Sequence, residues 1–231
     1  MFPAVTLAGP PFLTDDPEPT ETGHWEIYLP QLEWHGRGQD LEGSLGTELN
    51  YGAADNLQVT LGLPVAFSHD ATGWRTGADD IKFSVKFRVY RNEDTGVQLA
   101  VFPGVTIPTG SNGFGAGNST ALLPIWMQKE AGQWVVFGGG GYAINPGTGN
   151  RNFWIGAANV SRRFADRWLV GFEAQVQGAD MVAGHRSTSL GIGAIYRLTK
   201  SLRLLARAGP TRDGAGGPAN FHAFLALGLD I

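Results

Sequence analysis

The chain of 231 residues has no cysteine, three methionines and only 16% charged residues. Without cysteine there is no disulfide framework, no thiolate zinc site and no thiol nucleophile. The formal charge of −4 comes with no run of lysine and arginine, so nothing in the chain attracts a polyanion and nucleic acid is excluded as a partner. No apolar run is long enough for a membrane-spanning helix, a test that a barrel of alternating strands escapes. Residues 1–9 lack a basic leader and a long apolar centre, so they are not an intact signal peptide, and an exported protein would be read here in mature form with an added Met.

Glycine is abundant, at 34 residues, with thirteen Phe and seven Trp. That composition fits many turns and closely packed strands better than helices. The clearest stretch is 80–90, where Ile81, Phe83, Val85, Phe87 and Val89 alternate with Asp80, Lys82, Ser84, Lys86 and Arg88. A strict period of two describes a strand with a different solvent on each face. A soluble sandwich would bury the apolar face, whereas a membrane barrel would turn it to lipid and direct the charges into a lumen.

The number and length of such segments favour the barrel. Twelve segments carry the pattern, at 25–34, 41–51, 57–68, 80–90, 96–108, 120–129, 133–144, 152–163, 168–178, 188–198, 202–210 and 220–231. At about 11 residues each, tilted near 40°, they would rise roughly 28 Å, close to the apolar band of an outer-membrane barrel. Connections 53–56, 92–94, 130–132, 165–167 and 199–201 are short, while 69–79, 109–119, 145–151, 180–187 and 211–219 are longer and rich in glycine; 35–39 is the short exception. Tight turns at one end and loops at the other match periplasmic turns and external loops. Aromatics on the apolar parity collect at both levels, with Tyr51, Trp134, Trp168 and Tyr196 near the turns and Phe67, Phe153 and Phe221 near the loops. Pro30, Pro64, Pro103 and Pro124 interrupt the pattern and predict bulges or strand limits.

The sequence therefore predicts an all-β fold: a transmembrane, antiparallel, up-and-down β-barrel of about 12 strands over 23–231, preceded by a proline-rich acidic arm, 1–22, in the periplasm or the lumen. The arm holds Asp15, Asp16, Glu18 and Glu21. It lacks the spacing of a calcium loop and reads as a solvated acidic segment rather than a metal site.

Several stretches resemble the outer-membrane barrels of the MetA-pathway of phenol degradation family, which are transporter-like. The resemblance runs over most of the chain in Pro11-Phe12-Leu13-Thr14-Asp15-Asp16-Pro17, Gly23-His24-Trp25-Glu26, Pro108-Thr109-Gly110, Leu123-Pro124-Ile125-Trp126-Met127-Gln128-Lys129 and Gly138-Gly139-Gly140-Gly141-Tyr142. It implies an outer-membrane barrel of a Gram-negative bacterium that passes small, aromatic or hydrophobic compounds, with lipid, lipopolysaccharide and the barrel-assembly machinery as partners. It supplies no site residues. Ile231 stands where such barrels usually finish on an aromatic residue.

A lipid-modifying enzyme is the rival on this architecture and needs a nucleophile, a base and an orienting group. His24, His35, His69, His185 and His222 form no such set; Ser68 and His69 point apart on one strand. The glycine-rich 110–117 lacks the lysine and the helix of a phosphate cradle and reads as a flexible outside loop able to fold over the mouth. No catalytic, cofactor or metal residue is assigned. The inward parity instead predicts a lumen lined by Glu42, Glu48, Lys82, Lys86, Arg88, Phe102, Trp126, Glu173, Arg197, Arg203 and Arg207. Arg203 and Arg207 are expected to pair with Glu42 and Glu48. The predicted function is a passive channel for small solutes; the alternatives are the enzyme and a structural barrel plugged by its own side chains.

Overall fold

The structure, a computed structural model, describes residues 11–214 and 216–231. The leader reading of 1–9 therefore lies outside the described residues. Fourteen strands follow the arm: β1 (Trp25–Arg37), β2 (Asp40–Ala54), β3 (Leu57–Asp70), β4 (Gly73–Ala78), β5 (Ile81–Asn92), β6 (Val97–Val101), β7 (Gly104–Ile107), β8 (Thr120–Ala131), β9 (Trp134–Ile144), β10 (Phe153–Phe164), β11 (Trp168–Gln177), β12 (Ser187–Arg197), β13 (Leu202–Asp213) and β14 (Ala219–Asp230). Pairing between the strands is antiparallel, and β14 returns to β1 from Gly36↔Phe221 to Glu26↔Asp230, which closes the sheet into a barrel.

Two of the twelve staves are each built from two pieces. β3 pairs β5 in its turn-side half, from Leu57↔Phe87 to Gly62↔Lys82, and β4 in its loop-side half, from Val65↔Ala78 to Asp70↔Gly73. β8 likewise pairs β6 and then β7. The segment 69–79, expected to be a loop, thus contains a strand of the wall.

The prolines explain the breaks. A proline donates nothing to a ladder, so it is tolerated where no partner asks for a donor. Pro64 falls where β3 changes partner from β5 to β4, Pro124 where β8 changes from β6 to β7, and Pro103 in the gap between β6 and β7. Pro30 sits at the register shift between Tyr28 and Gln31.

Burial is inverted relative to a protein in water. Ile125, Met127, Phe172 and Ile192 are each more than half exposed, while Asn50, Gln58, Lys86, Glu173, Arg203 and Arg207 are buried. Leaving large apolar side chains in water forfeits about 1.5–3 kcal/mol apiece. A belt of them around a closed barrel is stable only against hydrocarbon. On β5 the parity is the expected one: Phe83, Phe87 and Val89 face out, and Lys86 and Arg88 face in.

Val85→Arg is therefore expected to cost about 2–4 kcal/mol of folding stability in lipid, and Ser84→Arg, facing the bore, much less. Equal losses at the two positions, measured by unfolding in vesicles, would contradict the assigned faces.

The turn-end aromatics pair along the outer surface, Trp25 with Tyr51 at 4.7 Å and Trp168 with Tyr196 at 4.4 Å between centroids. At the loop end one expectation fails. Phe153 lines the interior, and Trp154 faces out against Tyr142 at 4.8 Å. Both parities of β10 are apolar at this level because the lumen there is itself apolar, so alternation carried no signal.

Candidate functional site: the lumen and its arm

Residues 11–22 cross the inside of the barrel. Their prolines keep them out of any ladder, so side chains and single backbone groups must make the contacts. Phe12 is buried where β11 and β12 present glycines to the bore: a Cβ at Gly171 would come 2.8 Å from its ring and one at Gly193 2.6 Å. The ring also meets Phe137 edge-on at 5.8 Å.

Next to Phe12, the Glu173 carboxylate accepts from Leu13 N at 3.1 Å, from Thr14 N at 2.6 Å and from the Thr14 hydroxyl. The same carboxylate takes Arg207 Nε at 2.9 Å. Arg207 lies on β13 and Glu173 on β11, so the guanidinium reaches over β12, where a Cβ at Gly191 would stand 2.6 Å from Nε. Glycine at this position is what lets the pair form.

Midway along the arm, Lys86 Nζ donates to Asp15 at 2.9 Å and lies 3.6 Å from Asp16 Oδ2. Its ammonium also stands 4.9 Å from the centroid of Phe102. Burial pushes the Asp16 carboxyl well above the ordinary carboxylate range, against the pull of Lys86. Farther on, Glu18 approaches Arg88 at 3.9 Å, and Gln58 accepts from Thr20 N at 2.8 Å within a buried cluster that includes Asn50 and Thr60. Gly23 N then bonds Gly52 O at 2.7 Å and leads the chain into β1. The arm therefore runs from the β11–β12 wall to the β2–β3 wall. Composition suggested a solvated acidic segment, but Asp16 is fully buried and Asp15 and Glu18 are drawn toward Lys86 and Arg88; Glu21 alone of the four is exposed.

The residues expected to line the lumen divide into three groups. Lys86, Arg88, Phe102 and Glu173 hold the arm or underlie it. Arg203 and Arg207 brace the wall: Arg203 bonds Glu26 and, at 2.7 Å, Asp230, and Arg207 bonds Glu173 and, at 2.5 Å, His222. The expected pairing with Glu42 and Glu48 does not occur, because carboxylates on β14, β1 and β11 lie nearer in the register. Arg197 belongs to the same turn-end group, within electrostatic reach of Asp230. The third group makes none of the contacts that hold the arm or brace the wall. Glu42 is at the exposed rim beside His35 at 3.3 Å, Glu48 accepts from Asn50 Nδ2 at 3.1 Å, Trp126 is buried in the wall, and Lys82 has no ion-pair partner among the described residues.

On the loop side of the arm is a cavity of about 670 Å³ lined by Leu13 and Asp15 of the arm, by Lys82, and by Phe102, Leu122, Trp126 and Phe153. A cation and several aromatic side chains thus line one space. Above it, 110–116 is tied down rather than loose. Asp80, at the break between β4 and β5, accepts from Gly110 N at 2.9 Å and Ala116 N at 2.7 Å, and Ser111 N bonds Ala78 O at 2.9 Å along the outer edge of β4.

Sequence reasoning missed Phe12, Thr14 and the inward glycines at 171, 191 and 193. The legible signal was glycine on the polar parity of β11 and β12, where a lumen-facing side chain belongs.

A crystal structure of an outer membrane channel from Pseudomonas putida F1 is similar to this chain with a TM-score of 0.71 at 14% identity, covering 97% of this chain and 100% of that one. The KdgM porin is similar with a TM-score of 0.60 at 8% identity over 86% of this chain and 98% of that one. The NanC porin gives 0.61 at 7% identity over 89% and 98%. At these identities the likeness speaks for the fold. No curated protein matches the sequence. The family model described as "Putative MetA-pathway of phenol degradation" matches residues 24–223, and the chain belongs to that family.

Proposed function

We propose that the protein is a passive channel of the Gram-negative outer membrane, its turns in the periplasm and its loops outside, whose bore passes small solutes and is constricted by its own acidic arm. The observation that carries this reading is the cavity on the loop side of the arm, a space of solute size lined by Lys82 together with Phe102, Trp126 and Phe153. The fold shared with an outer membrane channel and two porins supports it. Aromatic or hydrophobic solutes would use the ringed wall, and Lys82 sets the field beside it. Outer-membrane lipid, lipopolysaccharide and the assembly machinery are the partners that such a location brings.

Lys82 is the test of selectivity because it has no ion-pair partner among the described residues and does not face lipid. Lys82→Glu is expected to shift ion preference toward cations, read as a change in reversal potential across a salt gradient, with insertion unchanged. Lys86 would not give the same result, since its charge is engaged by the arm. An unchanged reversal potential in Lys82→Glu would remove Lys82 from the permeation path.

The enzymatic reading lacks a supporting observation. His222 is engaged by Glu33 at 2.8 Å and by Arg207, and no serine takes part in that set among the described residues. A lipase-like site would require a nucleophile within hydrogen-bond reach of such a base.

A further inference from the structure

Two consecutive arginines near the turn end of β10 are treated differently by the fold. Arg163, on the inward parity, finds a full partner: its two Nη atoms donate to Glu130 at 3.1 and 2.9 Å. Arg162 points the other way, on the parity of the exposed Val160 and Phe164, toward lipid. Its guanidinium lies 5.5 Å from the ring centroid of Trp134 and 5.0 Å from that of Phe164. Trp134 is its direct cross-strand neighbour on β9. Its protein hydrogen bond is from Nη2 to Gln133 Oε1 at 3.2 Å, a neutral acceptor, and Nε is buried between the rings with none. No carboxylate neutralises it among the described residues.

A charged side chain on the outside of a barrel is costly at mid-bilayer and close to neutral at the interface, where headgroups can meet it. Arg162 is one residue pair inside Phe164, at the level of the aromatic girdle. Lys129 is the second cation of this surface. It is exposed on the outward parity of β8 after Ile125 and Met127. Lys129 faces Val136 on β9, and Val136 faces Val160 on β10, so the two cations are two strands apart, roughly 10 Å across the sheet. Among the described residues in the turn-side halves of β8 to β14, these are the charged side chains on the lipid-facing parity. Both are basic, they flank β9 from either side, and aromatic rings hold one of them flat. A planar guanidinium with unused donors, fixed by stacking, is suited to a tetrahedral oxyanion.

We propose that Arg162 and Lys129, with Trp134 and Phe164, form a binding site for the phosphate of a membrane phospholipid headgroup at the turn-end interface. Arg162 grips the phosphodiester, Lys129 neutralises a neighbouring one or the same one from the side, and the acyl chains lie along the apolar wall formed by Met127, Val136 and Val160. Assignment to the periplasmic leaflet rests on the orientation proposed above; the phosphate contact itself does not.

The test is native mass spectrometry of the full chain in detergent, titrated with phosphatidylglycerol, with diacylglycerol of the same chains, and with inorganic phosphate. The wild type is expected to retain phosphatidylglycerol in preference to diacylglycerol, and inorganic phosphate should not displace it. Arg162→Gln is expected to lower that retention about tenfold, and Lys129→Gln less. If Arg162→Gln fails to fold, Arg162→Lys decides, since it keeps the charge without the stacked fork: a several-fold loss is expected. Equal retention of diacylglycerol, displacement by inorganic phosphate, or retention unaltered in every Arg162 variant that folds would overturn the site.

Discussion

Glu173→Ala is expected to destabilise the barrel by about 3–5 kcal/mol, since it strands Arg207 as a buried charge whose other contact is the imidazole of His222. The same change removes the acceptor for Leu13 N, Thr14 N and the Thr14 hydroxyl, so one substitution strikes both the wall and the arm. Because the cost is that of an orphaned cation, it should be largely recovered when the cation is also removed. The double variant Glu173→Ala with Arg207→Leu is expected to be nearer the wild type than the single variant, as a buried ion pair is worth little over apolar residues of similar size. Unfolding by guanidinium in lipid vesicles, followed by tryptophan fluorescence, measures both. If the double variant is no more stable than the single one, the charge pair is not what Glu173 contributes.

Lys86→Glu is expected to expel the arm. The new carboxylate would stand among Asp15, Asp16 and Glu18, replacing a buried attraction with repulsion on the segment that crosses the bore. Breaking such a pair costs about 3–5 kcal/mol, enough to change the exposed population of the arm by roughly two orders of magnitude or more. The absence of native cysteine gives a clean reporter. With Thr14→Cys, fully buried in the wild type, labelling by a water-soluble maleimide should be slow, and adding Lys86→Glu should accelerate it by about that factor. Equal labelling rates in the two backgrounds would show that Lys86 does not hold the arm.

The sequence was informative where one face met lipid and the other met charge. On β5 the sequence alternates strictly from Ile81 to Val89, and the structure turns Phe83, Phe87 and Val89 outward and Lys86 and Arg88 inward; on β8, Trp126 was assigned inward and lines the cavity. It was silent where both faces are apolar, which is why Phe153 was assigned outward. It misplaced a boundary at 69–79, because β4 reads Gly73-Trp74-Arg75-Thr76-Gly77-Ala78, too glycine-rich for its pattern to stand out from a loop. The arm was the largest gap. Prolines and carboxylates in a row describe a segment that cannot join a sheet, but they do not say that Lys86 and Glu173, more than 60 residues away, are waiting for it. Long-range charge pairing depends on register, and register also sent Arg203 and Arg207 to Glu26, Asp230 and Glu173 rather than to Glu42 and Glu48.

The conductance of single molecules in planar bilayers, with and without residues 11–22, tests the closed bore most directly. The intact protein is expected to give small, infrequent current steps, and the shortened one steps several-fold larger, with detergent-resistant folding retained because β1 to β14 still close the wall. Equal conductance from the two proteins would contradict an arm that constricts the path, and no current from either would mean that the side chains of the wall fill the barrel by themselves.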